Sequence, residues 1–374
     1  MKKSMQLPAL VRFGIHFVIL VLMVAPGVNG AKGVSLKADA AVQKAYDLRM
    51  SGKADQAAVV LEELLKSDST NSLAHFELAR TRYHLFLGGT QLTPEAWGRV
   101  VGSFQQAVKY APVNATYAFY YAHSRFFDAF ISMMSEQPDV TDKINLACEA
   151  FDAVMKVDPK CYQARLYEMD IYGMLPPEMG GNREKANSLA EDIGKKDKVF
   201  GALANARLQP ENADMVAYWQ GVEQNTPMGV QGIEEMGRAY LLKSDSENGT
   251  KFFLEAIKQD PSRRSLYMNL ARFHLMSTQQ DQANKETHLQ EAEKLVNLFL
   301  TSQPELPAPF VAYGNGFLSL IKMVGGDQAG SDSFRAKAEA IDPFYSRATG
   351  LPAEMIYCRP EDVKIQYSSF FMPF

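Results

Sequence analysis

Three short phrases place an arginine at the same point of a recurring pattern. They are Leu-Ala-Arg ending at Arg80, Met-Gly-Arg ending at Arg238 and Leu-Ala-Arg ending at Arg272. A guanidinium group is planar, always charged and shaped to hold a carboxylate through two hydrogen bonds. The chemistry that these residues predict is therefore anion binding, with the three arginines as its first candidates.

Patterns for catalysis or for a metal site are missing. His75, His84, His123, His274 and His288 form neither a His-Glu-x-x-His motif nor a Cys/His zinc spacing. No Gly-x-Ser-x-Gly nucleophile turn occurs, and no cysteine stands in a recognisable nucleophile context. The sequence therefore predicts a protein that is not an enzyme and that needs no metal or cofactor.

Composition describes an ordinary globular chain with an acidic balance. Apolar residues make up 47% and charged residues 22% of the 374 positions, and the net charge is −4. The first 30 residues carry three basic and no acidic side chains, so the rest has a net charge of −7. Nucleic acid is not an expected partner, because a global basic field is absent. The length favours several domains or an elongated repeat array over one compact core.

The N-terminal segment has the form of a secretory signal. Basic residues precede an apolar run at 13–24, and Val28 and Gly30 suit the positions before a cleavage at Ala31. The run is too short to span a bilayer, which needs about 20 apolar residues. We expect residues 1–30 to be a cleaved signal peptide and the mature chain to be periplasmic, without a transmembrane span. An uncleaved anchor and a misplaced start remain alternatives.

Apolar residues at helical spacing fill most of the chain and are closed by prolines. The phrase that ends in Asp-Pro recurs at Pro159, Pro261 and Pro343, and further closing prolines are Pro112 and Pro304. Proline lacks a backbone donor and clashes with the preceding turn, so it ends a helix. The pattern predicts helices separated by short turns.

This periodicity resembles the tetratricopeptide repeat, whose length is 34 residues. Residues 230–263 fit its consensus without a gap, although Gly249 stands where alanine is usual. The matching residues are Ile233, Met236, Gly237, Tyr240, Phe253, Ala256 and Pro261. The resemblance implies an all-α, right-handed α-solenoid of about seven or eight helical hairpins with insertions, over residues 38–345.

In this family, positions such as 2, 5, 9 and 12 of each first helix line a concave groove. Position 9 corresponds to Arg80, His123, Arg238 and Arg272, and also to Asp170 and Asn315. With the apolar positions beside them, the resemblance implies a groove for a partner or ligand at Arg80, Tyr83, Phe119, His123, Arg238, Leu241, Met268, Arg272 and Leu275. The alternative is that the arginines pair with acids of adjacent helices and that the aromatic residues belong to the core.

The C-terminal segment departs from the repeat. In residues 346–374, Val363, Ile365 and Tyr367 alternate with polar residues before an aromatic end. We expect this tail to cap the apolar face of the last hairpin, with docking to another molecule as the alternative. Cys148 is expected to be a small core residue.

Two functions follow from these features. The first is a non-catalytic exported scaffold that binds protein or peptide partners in a bacterial envelope assembly. The second is a periplasmic carrier of a small amphipathic or carboxylate ligand. The carrier is implied by the Leu-Pro…Gly-Gly turn at 175–181, which resembles exported repeat proteins such as the T-component of TRAP-type transport systems.

Overall fold

The computed structural model describes residues 40–88 and 93–344, together with Arg359 and three residues near 363. The predicted signal peptide, the loop at 89–92 and most of the predicted tail lie outside the described residues. The protein is 81% helical, with 16 α-helices and no strand in the described part. The all-α prediction is confirmed.

The helices follow one another as eight hairpins, each made of a first and a second helix. In chain order they are α1 Ala40–Met50, α2 Ala54–Ser67, α3 Ser72–Gly88, α4 Pro94–Tyr110, α5 Ala115–Met134, α6 Val140–Val157, α7 Tyr162–Met174, α8 Arg183–Lys196, α9 Lys198–Arg207, α10 Met215–Asn225, α11 Val230–Leu242, α12 Ser246–Gln259, α13 Ser265–Gln280, α14 Lys285–Leu300, α15 Ala308–Val324 and α16 Gln328–Ile341. Helices that follow one another in the chain pack together, as a solenoid requires, except that the two helices of the fifth pair, α9 and α10, contact each other little.

Helix ends fall where the local sequence places them. Pro112, Pro159, Pro261, Pro304 and Pro343 each follow the last residue of a helix by two to four positions. Helix starts are fixed by side-chain caps, for which the preceding residues supply an oxygen. Such caps come from Thr93, Asn114, Asn182, Asp197, Asp214, Asp245 and Asp327. The predicted role of the prolines as helix terminators is confirmed.

Glycine lets the two helices of the sixth hairpin, α11 and α12, approach closely. A Cβ at Gly237 would lie 2.4 Å from Phe253 Cδ1, and a Cβ at Gly249 would lie 2.4 Å from Leu241 Cδ2. Ala256, the remaining small residue of this hairpin, is fully buried. Glycine is therefore needed at position 249, where the repeat usually has alanine, because Leu241 occupies the space that an alanine methyl group would need.

The region around α9 and α10 is the least regular part of the array. α9 packs mainly on α8, whereas α10 packs mainly on α11 and contacts α9 little. Trp219 and Met236 belong to a separate small core there, distinct from the large core shared by most hairpins. This agrees with the sequence, in which residues 197–229 fit the repeat least.

The end of the last hairpin lies against the first hairpins. A Cβ at Gly52, in the turn between α1 and α2, would lie 2.2 Å from the carbonyl oxygen of Ile341. His84 of α3 places Nε2 at 3.1 Å from Oδ2 of Asp342, and both side chains are fully buried. Nothing in the sequence predicts this contact between the two ends of the array.

Two smaller predictions concern the cysteines and the tail. Cys148 is buried with a free thiol, as expected for a core residue. Val363 and Ile365 are half-buried and pack against the large core. Whether the whole tail caps the array stays a prediction. In the described part of the chain, no helix has both the length and the apolar character needed to cross a membrane.

The crossing of α8 and α9 gives a test of the helix register. A Cβ at Gly201 would lie 2.4 Å from Gly194 Cα, whereas a Cβ at Gly221, exposed on α10, would meet nothing within 4 Å. We expect Gly201→Ala to lower the free energy of unfolding by about 1–3 kcal/mol, because backbone must move. Gly221→Ala should raise it by about 0.5–1 kcal/mol. Urea unfolding measures both, and equal effects of the two substitutions would contradict the crossing.

Candidate functional site

Most residues predicted to line a groove lie inside the array. Eight of the nine are buried and Leu275 is half-buried; the buried ones are Arg80, Tyr83, Phe119, His123, Arg238, Leu241, Met268 and Arg272. Tyr83, Phe119 and Met268 have no exposed surface at all. These three side chains are enclosed in this conformation, and the groove itself stays a prediction.

Aromatic packing within and between hairpins contributes to this burial. Phe119 of α5 contacts Phe151 of α6 and Tyr167 of α7 with ring centroids 6.4 and 6.0 Å apart. Tyr83 meets Trp97, on the second helix of its own hairpin, edge-on at 4.9 Å. The second helix of the same hairpin therefore packs on each ring, and α7 also packs on Phe119.

Arg80 belongs to a buried triad of charges that links the first two hairpins. Glu77 on α3 accepts a hydrogen bond from Arg49 of α1 at 2.8 Å through Oε2, and its Oε1 accepts one from Arg80. All three side chains are at most 1% exposed. The guanidinium of Arg80 is thus neutralised within the fold by an acid of its own helix, whereas the alternative drawn from the sequence named acids of adjacent helices.

Arg238 belongs to a second triad built in the same way. Glu234, four residues earlier on α11, accepts hydrogen bonds from Arg238 and from Arg263, which precedes α13. Arg263 also lies 3.4 Å from Asp260. Arg238 is therefore occupied by a carboxylate of its own helix.

Position 9 of the fourth hairpin carries the opposite charge and is paired as well. Asp170 on α7 lies 3.3 Å from Arg207 of α9, and its side chain is 1% exposed. Nearby, Glu168 accepts a hydrogen bond from Arg165 and lies 3.5 Å from Lys185. Buried charges of the first helices are thus compensated across neighbouring elements.

Arg272 is the exception. Its side chain is 2% exposed and donates a hydrogen bond to the hydroxyl of Tyr313 at 2.6 Å. Among the described residues, no carboxylate lies within 4.0 Å of its guanidinium, and its Nε has no hydrogen-bond partner. A buried charge without a counter-charge is costly, and an arginine cannot lose its proton to relieve that cost. Arg272 is therefore the one predicted arginine that is left able to receive an anion.

His123 is a neutral core residue. Its ring meets Tyr167 edge-on at a centroid distance of 5.5 Å. Burial lowers the pKa of His123 to about 4, so the ring carries no charge near neutral pH. It supplies no cation to a groove in this conformation.

Sequence reasoning missed several residues that the structure brings together. Arg49 and Arg263 complete the two triads but lie outside position 9, and no signal in the sequence pointed to them. His274 and His288 meet across the seventh hairpin, although their separation of 14 residues matches no metal motif. In the described part of the chain, no group of three or more metal-binding side chains is present.

The hairpin packing decides the architecture. In α11 and α12, Gly237 packs against Phe253 and Gly249 packs against Leu241. The fold is an array of helical hairpins, and this close packing resembles that of the tetratricopeptide repeat. Neither a family model nor a curated protein matches the sequence.

Solved structures of similar architecture are distant in sequence. A tetratricopeptide repeat protein from Parabacteroides merdae is 14% identical, with a TM-score of 0.34 over 80% of this chain and 91% of its own. Yeast Tom70 is 10% identical, with a TM-score of 0.39 over 81% and 71%. The human IFIT1 dimer, solved with PPP-AAAA, is 12% identical, with a TM-score of 0.33 over 79% and 88%.

The first triad gives a test of buried charge compensation. Glu77→Gln keeps the shape of the side chain but leaves Arg49 and Arg80 without an anion, so we expect unfolding to become easier by about 3–5 kcal/mol. In the control, Glu63→Gln, the lost partner is Lys66, and both side chains are more than 60% exposed. That change should cost less than about 1 kcal/mol. Similar midpoints in urea for the two variants would show that the triad is not a stabilising unit.

Proposed function

We propose that this protein is a non-catalytic scaffold that binds a protein or peptide partner in a bacterial envelope assembly. The repeat fold suits a protein-interaction role. The observation that supports the proposal most is a row of exposed apolar residues at the ends of first helices. These residues are Met134 on α5, Met174 on α7, Leu242 on α11 and Met323 on α15, and they are 40–54% exposed.

The positions of these four residues in the hairpins give the row its geometry. Three are the last residue of their helix, and Met323 precedes the last one. The two helices of a hairpin run antiparallel, so the first helices of stacked hairpins end on the same side. The four residues offer a partner separate apolar contacts there, and methionine adapts well to such surfaces. We call these four residues the apolar edge.

The export part of the proposal rests on the sequence. The basic start, the apolar run at 13–24 and the cleavage site before Ala31 support secretion. The scaffold would then act outside the cytoplasm, where envelope proteins are the available partners. The intact mass of the chain purified from its host tests this part: we expect Ala31 to be the first residue, and a mass that includes residues 1–30 would contradict cleavage.

The experiment compares two triple variants that remove equal apolar surface. The edge variant carries Met174→Glu, Leu242→Glu and Met323→Glu. The control carries Val59→Glu, Leu146→Glu and Leu254→Glu, which change exposed apolar residues on second helices. For a partner captured by wild type and identified by mass spectrometry, we expect the edge variant to lose at least about tenfold in affinity, or 1.4 kcal/mol. The control should bind as wild type does. Equal losses, or none, would contradict the proposal, provided that circular dichroism shows intact helices.

Arg272 favours a second function, that of a carrier for an amphipathic carboxylate linked to a TRAP-type transport system. Among the described residues its guanidinium has no carboxylate partner, and the half-buried Leu275 lies one turn after it on α13. A bound carboxylate would supply the missing counter-charge, and Leu275 would contact the chain of the ligand.

Decanoate and decanol are suitable probes of this carrier function, because they differ only in the head group. We expect wild type to bind decanoate at least about tenfold more tightly than decanol, and Arg272→Met to abolish that preference. Arg272→Met should not destabilise the fold, since it removes a buried charge without orphaning an acid. Isothermal titration calorimetry measures the affinities. A decanoate preference that survives in Arg272→Met, or that is absent from wild type, would exclude this role.

A further inference from the structure

Two histidines face each other inside the seventh hairpin. His274 on α13 and His288 on α14 place their Nδ1 atoms 3.0 Å apart, with ring planes inclined by 42°. The two atoms lie side by side between α13 and α14, which pack against each other. Two Nδ1 atoms at this distance can share one proton, or both can bind the same metal ion.

The spacing of the two nitrogens suits ligands of one metal ion. Metal–nitrogen bonds to histidine are about 2.0–2.1 Å long, so two such bonds at a right angle separate the nitrogens by about 3.0 Å. A tetrahedral ion would need a wider separation. The observed distance thus favours an ion that accepts right-angled nitrogen ligands, as Cu²⁺ and Ni²⁺ do.

A carboxylate lies on the far side of one ring. Asp281, in the turn between α13 and α14, places Oδ2 at 3.5 Å from Nε2 of His288. A histidine that binds a metal through one nitrogen usually donates its other N–H to a carboxylate, which fixes the tautomer. With its proton at Nε2, His288 leaves Nδ1 free to bind. Asp281 belongs to the extra residues that lengthen this hairpin relative to the 34-residue repeat.

The two rings differ in their access to water. The side chain of His274 is buried, whereas that of His288 is 15% exposed, so water can reach the pair.

We propose that His274 and His288 form a binding site for a divalent transition metal ion of the Cu²⁺ or Ni²⁺ class, with Asp281 orienting His288. In the described part of the chain, no third imidazole, thiol or carboxylate completes the site, so the remaining positions would hold water. A bound ion would link α13 to α14 and stabilise the hairpin that carries Arg272.

The test uses the full chain without an affinity tag, titrated with CuCl₂ and NiCl₂ after treatment with a chelator. We expect one ion per chain and, for Cu²⁺, an electron paramagnetic resonance spectrum with hyperfine splitting from two nitrogens. His274→Gln and His288→Gln should each weaken binding more than tenfold, and Asp281→Asn by about 10–100-fold. His75→Gln is the matched control, because His75 bonds only a backbone carbonyl, that of Ser69, and should bind as wild type does.

A second readout separates binding at the pair from loss of the fold. NiCl₂ should raise the melting temperature of wild type and of His75→Gln, and leave that of the two variants of the pair unchanged. Circular dichroism confirms that each variant is helical. If both variants of the pair bind Cu²⁺ as wild type does, or if wild type shows no two-nitrogen spectrum, the two histidines form only a hydrogen bond and the proposal is wrong.

Discussion

The distance between helices is the constraint on which this array depends. Where α8 crosses α9, and where α11 packs on α12, glycine brings one helix so near the other that a single methyl group would collide. Gly201 and Gly237 therefore set the separation, and residues such as Phe253 fill the space beside them. At this separation many polar residues of the first helices are enclosed together with the apolar ones.

Enclosed charges then have to be neutralised locally, and this links the hairpins. The triad at Glu77 takes one arginine from α1 and one from α3, and that at Glu234 takes one from α11 and one from the turn before α13. Removing any member would leave a buried charge, which costs far more than breaking a surface pair. Each triad thus favours the one neighbouring hairpin that supplies the matching charge, whereas apolar contacts alone would allow many different hairpins to pack there. Arg272 stands out because, in the part of the chain that the structure describes, the polar side chain that it contacts is the hydroxyl of Tyr313 and not a carboxylate.

The sequence predicts local features of this protein well and distant ones poorly. Prolines after helices, buried alanines and the small residues of 230–263 follow from rules that act within one hairpin, and they are confirmed. The repeat also gives the face on which Met268 lies, but not how far the next hairpin covers that face. The pairing of His274 with His288 depends on the extra residues between α13 and α14, whose backbone conformation does not follow from the repeat. The contact of Gly52 with Ile341 joins residues at opposite ends of the array, which no period can reveal.

This end-to-end contact bears on where a partner can bind. His84 and Asp342 are both fully buried at 3.1 Å, so the last hairpin closes on the first hairpins instead of leaving the end of the array free. The row at position 9 is enclosed within this arrangement, and most of its charges are already paired. A partner that bound in a groove there would have to replace those internal ion pairs with its own. Such an exchange of one buried pair for another would yield little binding free energy. The apolar edge has no such competitor, because its side chains already face solvent and gain free energy whenever a partner covers them. Binding of a partner at the apolar edge would therefore cost less free energy than binding at the row of position 9.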